Sequence, residues 1–240
     1  MSKENIQTKL ICLKDSGLSF DECQFTGRLE FHDTNSIANL VSNITCAEIM
    51  ATEVFLNFDN EIDEFFLFSL FTDTQIKFSA LKKITVAKTN QYYKDINGVL
   101  YTKDGEALIY CPICNTGGED GEMHIPDGVK YISSKAFAHN TGIKKLYLPD
   151  SLKLIFESAF SDMDELQFVD FGKGIRHIGS ENSPGVFRFC HKLNEVIIPE
   201  QVKSIGPNAF YNCSSLQQVK LPEGLEYISK YAFYGTGIKT

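Results

Sequence analysis

The sequence contains no apolar run long enough to cross a bilayer. Its longest, from Phe65 to Phe71, reads FFLFSLF and carries a serine, against the ~18 residues a spanning helix needs. The N-terminal residues, MSKENIQTKL, lack the uninterrupted apolar core of a secretory leader. No membrane insertion is expected, and the chain as it stands is expected to be soluble. Positive charge is in deficit: 23 Lys and Arg against 31 Asp and Glu leave a net charge of -8. That balance excludes broad electrostatic capture of nucleic acid. The seven cysteines, at 12, 23, 46, 111, 114, 190 and 213, are odd in number and irregular in spacing, so a complete disulfide framework is excluded. Either a reducing compartment or buried, inert thiols would suit them. No G-x-S-x-G, P-loop, H-E-x-x-H or dinucleotide fingerprint occurs, and none of the five histidines has an i,i+4 partner of the metal-binding kind. These absences point to a chain that is not an enzyme and holds no cofactor.

What is present is a globular composition. The 240 residues are 43% hydrophobic and 22% charged, with 17 Gly and 7 Pro, which argues against disorder and low complexity. The length allows one or two domains.

The second half repeats itself. IPDGVKYISSKAFAHNTGIKKLYLP begins at Ile125, LPDSLKLIFESAFSDMDELQFVDFG at Leu148, IPEQVKSIGPNAFYNCSSLQQVKLP at Ile198, and LPEGLEYISKYAFYGTGIKT at Leu221. Pro126 to Pro149, Pro149 to Gly172, and Pro199 to Pro222 are each 23 residues apart. Gly172 to Pro199 is 27, and the four extra residues fall near 179–185, in GSENSPG. Such turn-rich text lengthens a loop without disturbing the flanking pattern. Within each unit a short segment alternates in and out as a strand does. A Pro or Gly ends it. A V-x-x-I segment then crosses to the far side, and an Ala-Phe or Val-Phe pair turns the chain back. Phe137, Phe160, Phe187, Phe210 and Phe233 are expected to stack as a spine. One such unit cannot bury its apolar face alone, whereas stacked units bury a continuous core.

This 23-residue text resembles the BspA-like class of bacterial leucine-rich repeats, and IPEQVKSIGPNAFYNCSSLQQVKLPEGLEYISKYAF is similar to it almost residue for residue. LKKITVAKTNQYYKDINGVLYTKDGEALIYCP, from Leu81, resembles the modified repeat of that class, with a hairpin over 97–112 turning at Asp104-Gly105. The resemblance covers residues 81–240 and implies a β-rich, right-handed leucine-rich-repeat solenoid with a concave parallel sheet. It also implies a binding protein of the cell surface or secreted space that contacts other proteins.

Residues 1–80 do not fit the repeat and are read as a small α+β N-terminal cap. Asp33 to Ser36 would cap an amphipathic helix over 35–49. Thr52 to Phe58 alternates as a strand, and Asp59 to Phe71 fits either a helix or a buried strand.

Four features could carry chemistry. Cys111 and Cys114 have the spacing of a zinc half-site or a redox pair, but no second ligand pair lies nearby, so a loop with two incidental thiols is expected. Cys190 and Cys213 share one repeat position with Asn140, Met163 and Thr236, and stacked buried thiols are expected there. Lys130, Lys153, Arg176 and Lys203 form a basic row that ends in Glu226. An acidic row of Asp127, Asp150, Glu200 and Glu223, interrupted by Lys173, runs beside it, and offset surface charges are the simpler reading than a polyanion stripe.

The fourth feature is the outer side of the alternating strands. With Leu146, Leu148, Val169, Phe171, Val196, Ile198, Val219 and Leu221 inward, Tyr147, Phe168 and Ile197 face out, among Lys145, Asp170, Glu195, Gln218 and Lys220. Outward aromatics on a solvated sheet have the composition of a binding hot spot. The leading expectation is a non-enzymatic module that holds a protein partner on this face. The alternatives are a spacer in a longer surface protein, self-association through the open C-terminal repeat, and a metal or thiol protein centred on Cys111 and Cys114.

Overall fold

A computed structural model describes residues 27–31, 47–48, 50–59, 71 and 76–239. Strands β1 (Gly27–Phe31), β2 (Ala47–Glu48), β3 (Ala51–Leu56), β4 (Ile76–Lys77) and β5 (Lys83–Val86) come first. Strands β6 (Tyr93–Ile96), β7 (Val99–Thr102) and β8 (Ala107–Tyr110) follow as consecutive hairpins. Ten short strands complete the chain: β9 (Glu122–His124), β10 (Tyr131–Ile132), β11 (Lys145–Tyr147), β12 (Leu154–Ile155), β13 (Phe168–Asp170), β14 (His177–Ile178), β15 (Glu195–Ile197), β16 (Ser204–Ile205), β17 (Gln218–Lys220) and β18 (Tyr227–Ile228). The described residues form a β-solenoid of about seven turns. From β9 onward the odd-numbered strands form its front and the even-numbered strands its back.

The repeats stack because every rung buries the same positions. Phe137, Phe160, Phe187 and Phe210 are fully buried, with successive ring centroids 5.0, 4.9 and 5.5 Å apart, and Phe233 continues the series at 5.3 Å. The Ala-Phe corner also carries a ladder of its own. Lys135, Phe137 and His139 donate their backbone N–H to the carbonyls of Glu157, Ala159 and Ser161 on the next rung, and the same three bonds recur at each later step. This geometry needs two left-handed residues per corner. They are Lys135 and His139, Ser158 and Asp162, Gly185 and Phe189, Asn208 and Asn212, and Tyr231 and Gly235, all with φ between 53° and 72°.

The front ladder pairs β9, β11 and β13, and separately β15 with β17. The back row is likewise divided between β12 and β14. Among the described residues only the corner ladder runs unbroken through the 27-residue repeat, through Ser158, Phe160 and Asp162 to Pro184, Val186 and Arg188.

Hairpin strands β7 and β8 separate two cores. Val99, Tyr101 and Leu108 face the repeat core, whereas Leu100, Ile109 and Tyr110 face a second core with Leu29, Val54, Leu56 and Ile84. A sheet buried on both faces needs the near-continuous apolar text VLY and LIY rather than alternation. The β6–β7 turn is Asn97-Gly98, with φ of 52° and 80°, the left-handed pair that a two-residue hairpin turn requires.

The helix expected over 35–49 lies outside the described residues except for Ala47–Glu48, which are strand β2 and pair in parallel with β4. The expected strand at Thr52 to Phe58 is β3, displaced by one residue at its start. It pairs with both β1 and β5, so one sheet crosses position 80. Asp59 to Phe71 lies outside the described residues apart from its two ends. Leu221, expected inward, is 43% exposed, because it sits on the last rung with no described strand stacked beyond it.

Candidate functional site

The front sheet positions the outward residues in two columns. Lys145 is in register with Glu122 on one side and Phe168 on the other, and Tyr147 with His124 and Asp170. Glu195 faces Gln218, and Ile197 faces Lys220. Inward residues Leu146, Val169 and Val196 are buried, which fixes their neighbours outward by strand alternation.

Tyr147 and Phe168 touch diagonally, with ring centroids 5.7 Å apart. Phe168 is 40% exposed and Ile197 51% exposed, and Tyr147 is half-buried. Ile197 does not continue the aromatic pair on one ladder, because β13 and β15 are not hydrogen-bonded partners. The insertion at 179–185 closes on itself through paired Ser180 and Ser183 backbone bonds.

One front-face residue escaped sequence reasoning. His124 lies flat on Tyr147, with ring centroids 4.2 Å apart and planes within 1° of parallel. The signal was available, since Glu122-Met-His-Ile-Pro126 fits the strand-then-proline text of the repeat.

Charges frame this strip. Lys145 Nζ donates to Glu122 Oε1 at 2.7 Å. That hydrogen bond, with the attraction of the two charges, holds the Glu122 carboxyl below its ordinary pKa and the Lys145 ammonium above its own. Asp170 Oδ1 accepts from the Gly172 N–H at 3.0 Å. Glu195 and Lys220 are exposed.

The cysteines are placed differently from a ligand set. The Cys111 thiol lies in the repeat core, and burial pushes its pKa well up. Cys114 is half-buried and donates to the Ser79 carbonyl at 3.2 Å. Cys190 and Cys213 occupy the slot of Asn140 and do part of its work. Asn140 Nδ2 donates to the carbonyls of Pro112 and Asn115. The two thiols donate to Phe160 O and Phe187 O, each at 3.1 Å. The basic row is offset within its own column: Lys130 pairs with Glu106, and Lys203 with Glu226 at 3.3 Å.

Residues 181–240 match the family described as BspA type leucine rich repeat region (6 copies). No curated protein matches the chain at a significant level. A leucine rich cell surface protein from Faecalibacterium prausnitzii has a similar structure, with a TM-score of 0.62 and 26% identity over 80% of this chain and 48% of its own. A leucine-rich repeat protein from Eubacterium ventriosum gives a TM-score of 0.56 at 16% identity, covering 89% of this chain and 66% of its own. One from Bacteroides ovatus gives 0.50 at 20% identity, covering 79% and 42%. The latter two likenesses concern the fold. The chain spans about half the length of the Faecalibacterium protein.

Proposed function

The chain carries BspA-type leucine-rich repeats, and from that premise we propose that it is a protein-binding module whose contact surface is the front sheet. The reading rests on one observation: a row of three contacting rings, His124 stacked on Tyr147 and Tyr147 tilted against Phe168, stands on the solvent side of strands whose inner residues are buried. Solvated sheets rarely keep such rings without a use. An apolar centre inside a charged rim is the usual anatomy of a contact patch. Here Lys145, Asp170, Glu195 and Lys220 supply the rim, and Ile197 extends the apolar part toward β15. Because the Faecalibacterium relative is a cell surface protein, we assign the module to the same setting, with a recognition or adhesion role.

The test is affinity capture with the intact chain and with a Tyr147→Ser, Phe168→Ser, Ile197→Ser triple variant of unchanged melting temperature. A partner retained by the first and lost by the second supports the proposal. Equal retention by both removes the front face from consideration.

A further inference from the structure

A cavity of about 200 Å³ opens on the Ala-Phe corner, on a different surface from the front sheet. Three consecutive rungs build it. Glu157 and Ser158 come from one, Arg188 and Phe189 from the next, and Asn208 and Tyr211 from the third. The 27-residue repeat creates the middle rung's part. Its insertion delivers Gly185, φ 66°, where a Cβ would stand 2.9 Å from Arg188 Cδ. Glycine there lets the arginine stem lie against the backbone. Arg188 is also the single cation at its repeat position, whose other occupants are Ala138, Ser161, Tyr211 and Tyr234.

The Arg188 Nε is buried with no hydrogen-bond partner among the described residues, and a buried donor is costly to leave unpaired. The guanidinium carbon sits 5.9 Å from the Phe189 ring centroid. Phe189 and Tyr211 meet edge to face, 5.6 Å apart at 80°, so the wall beside the charge is aromatic.

The chemistry of the lining selects a ligand class. A simple anion would satisfy Arg188 but would meet the Glu157 carboxylate, and a cation would meet the reverse conflict. Ser158 and Asn208 both donate and accept. A neutral ligand rich in hydroxyls satisfies all four: it accepts from Arg188, donates to Glu157, and lays its C–H face on the rings. The volume exceeds the ~150 Å³ of a cavity that admits benzene, so one six-membered sugar ring fits. We propose that this corner cavity is a binding site for a single neutral saccharide unit, such as the terminal residue of a glycan.

The test is an amide-resolved NMR titration of the full chain with methyl glucopyranoside and methyl galactopyranoside, and separately with glycine and with inorganic phosphate. The expected result is saturable shifts at millimolar glycoside, centred on Ser158, Gly185, Arg188, Phe189 and Asn208. Arg188→Ala should weaken binding by about tenfold or more. So should Asn208→Gly, which keeps the left-handed backbone that glycine already adopts at 185 in the same repeat position. Both variants should melt cooperatively. Phe168→Ser should leave the titration unchanged, which keeps this site separate from the front face. Saturation by phosphate or glycine alone, glycoside shifts that survive both substitutions, or no saturation with either glycoside would each overturn the assignment.

Discussion

The imidazole of His124 stacks on the phenol of Tyr147 at 4.2 Å, nearly coplanar in tilt, and Tyr147 in turn meets Phe168. The three rings lie on β9, β11 and β13, one per strand, and none fills the core beneath them. Replacing Tyr147 or Phe168 by Ser should therefore cost only the cross-strand ring contacts, about 0.2–1 kcal/mol each, far less than a core truncation. A partner held on this face should lose on the order of 1–4 kcal/mol of affinity per anchor. Calorimetric melting and binding titration of the same variants read the two quantities separately. A variant that loses stability and affinity together would place its ring in the core.

The opposite behaviour is expected of the spine. Phe210 is fully buried between Phe187 and Phe233, so Phe210→Ala should cost roughly 3–5 kcal/mol through lost transfer energy and the cavity left behind. Phe168→Ala should cost far less. Denaturant titrations that give equal losses would contradict the inward and outward assignment of the repeat.

Much of this was legible in the text because a solenoid writes the same physics repeatedly. Pro126, Pro149, Pro199 and Pro222 mark strand ends, and five phenylalanines mark the corner at matching offsets. Alternation then assigns Leu146 inward and Tyr147 outward without any coordinates. The stack of His124 on Tyr147 needed only one further rung of the same frame. The corner cavity was not legible, since it joins side chains from three rungs around a loop whose path the repeat does not dictate. The two-faced burial of β7 and β8 was hidden for a related reason. Their apolar runs do not alternate, and a run buried on both sides carries no period to read.

Asn140 offers a sharper test of the interior slot. Its amide donates to two carbonyls, and its Oδ1 accepts from the N–H groups of Gly142 and Ile143. Asn140→Ala removes four hydrogen bonds and leaves Asn115 O and the Gly142 and Ile143 N–H groups without their partner, while Pro112 O keeps the Asn115 N–H; it should cost about 2–4 kcal/mol, more than one ordinary hydrogen bond. Cys213→Ala removes a single weak donor and should cost less. Urea unfolding of both variants ranks them, and the reverse order would show that the thiol rows carry the turn instead.

The corner's left-handed residues predict a stability change of unusual sign. His139 is exposed with φ of 61°, and its backbone N–H bonds to Ser161 whatever side chain it bears. An L-residue in that region carries a steric cost of roughly 1–2 kcal/mol. His139→Gly should be neutral or stabilising by up to about 1 kcal/mol, because relief of that strain competes with the greater entropy of an unfolded glycine. His139→Val, β-branched and poorly suited to positive φ, should destabilise by about 1–3 kcal/mol. Melting curves in which valine is as stable as glycine would show that the corner is not held in this conformation.

The Glu122–Lys145 pair fixes a pH dependence. The hydrogen bond and charge of Lys145 lower the Glu122 pKa. A carboxyl whose folded pKa lies below its unfolded value stabilises the fold above the unfolded pKa, and that contribution fades as pH falls through the folded pKa. Replacing Lys145 with Met should therefore move the Glu122 titration upward toward the ordinary carboxylate range. Any stability difference between the two proteins should be present near pH 7 and vanish by about pH 2, where the carboxyl is protonated in both. Both groups are solvent-exposed, so salt should shrink the difference at neutral pH. Side-chain carboxyl NMR with melting curves at two pH values measures each part. An unmoved Glu122 titration in Lys145→Met would show that the contact does not persist in solution, and the rim of the front face would then lose its one fixed ion pair across β9 and β11.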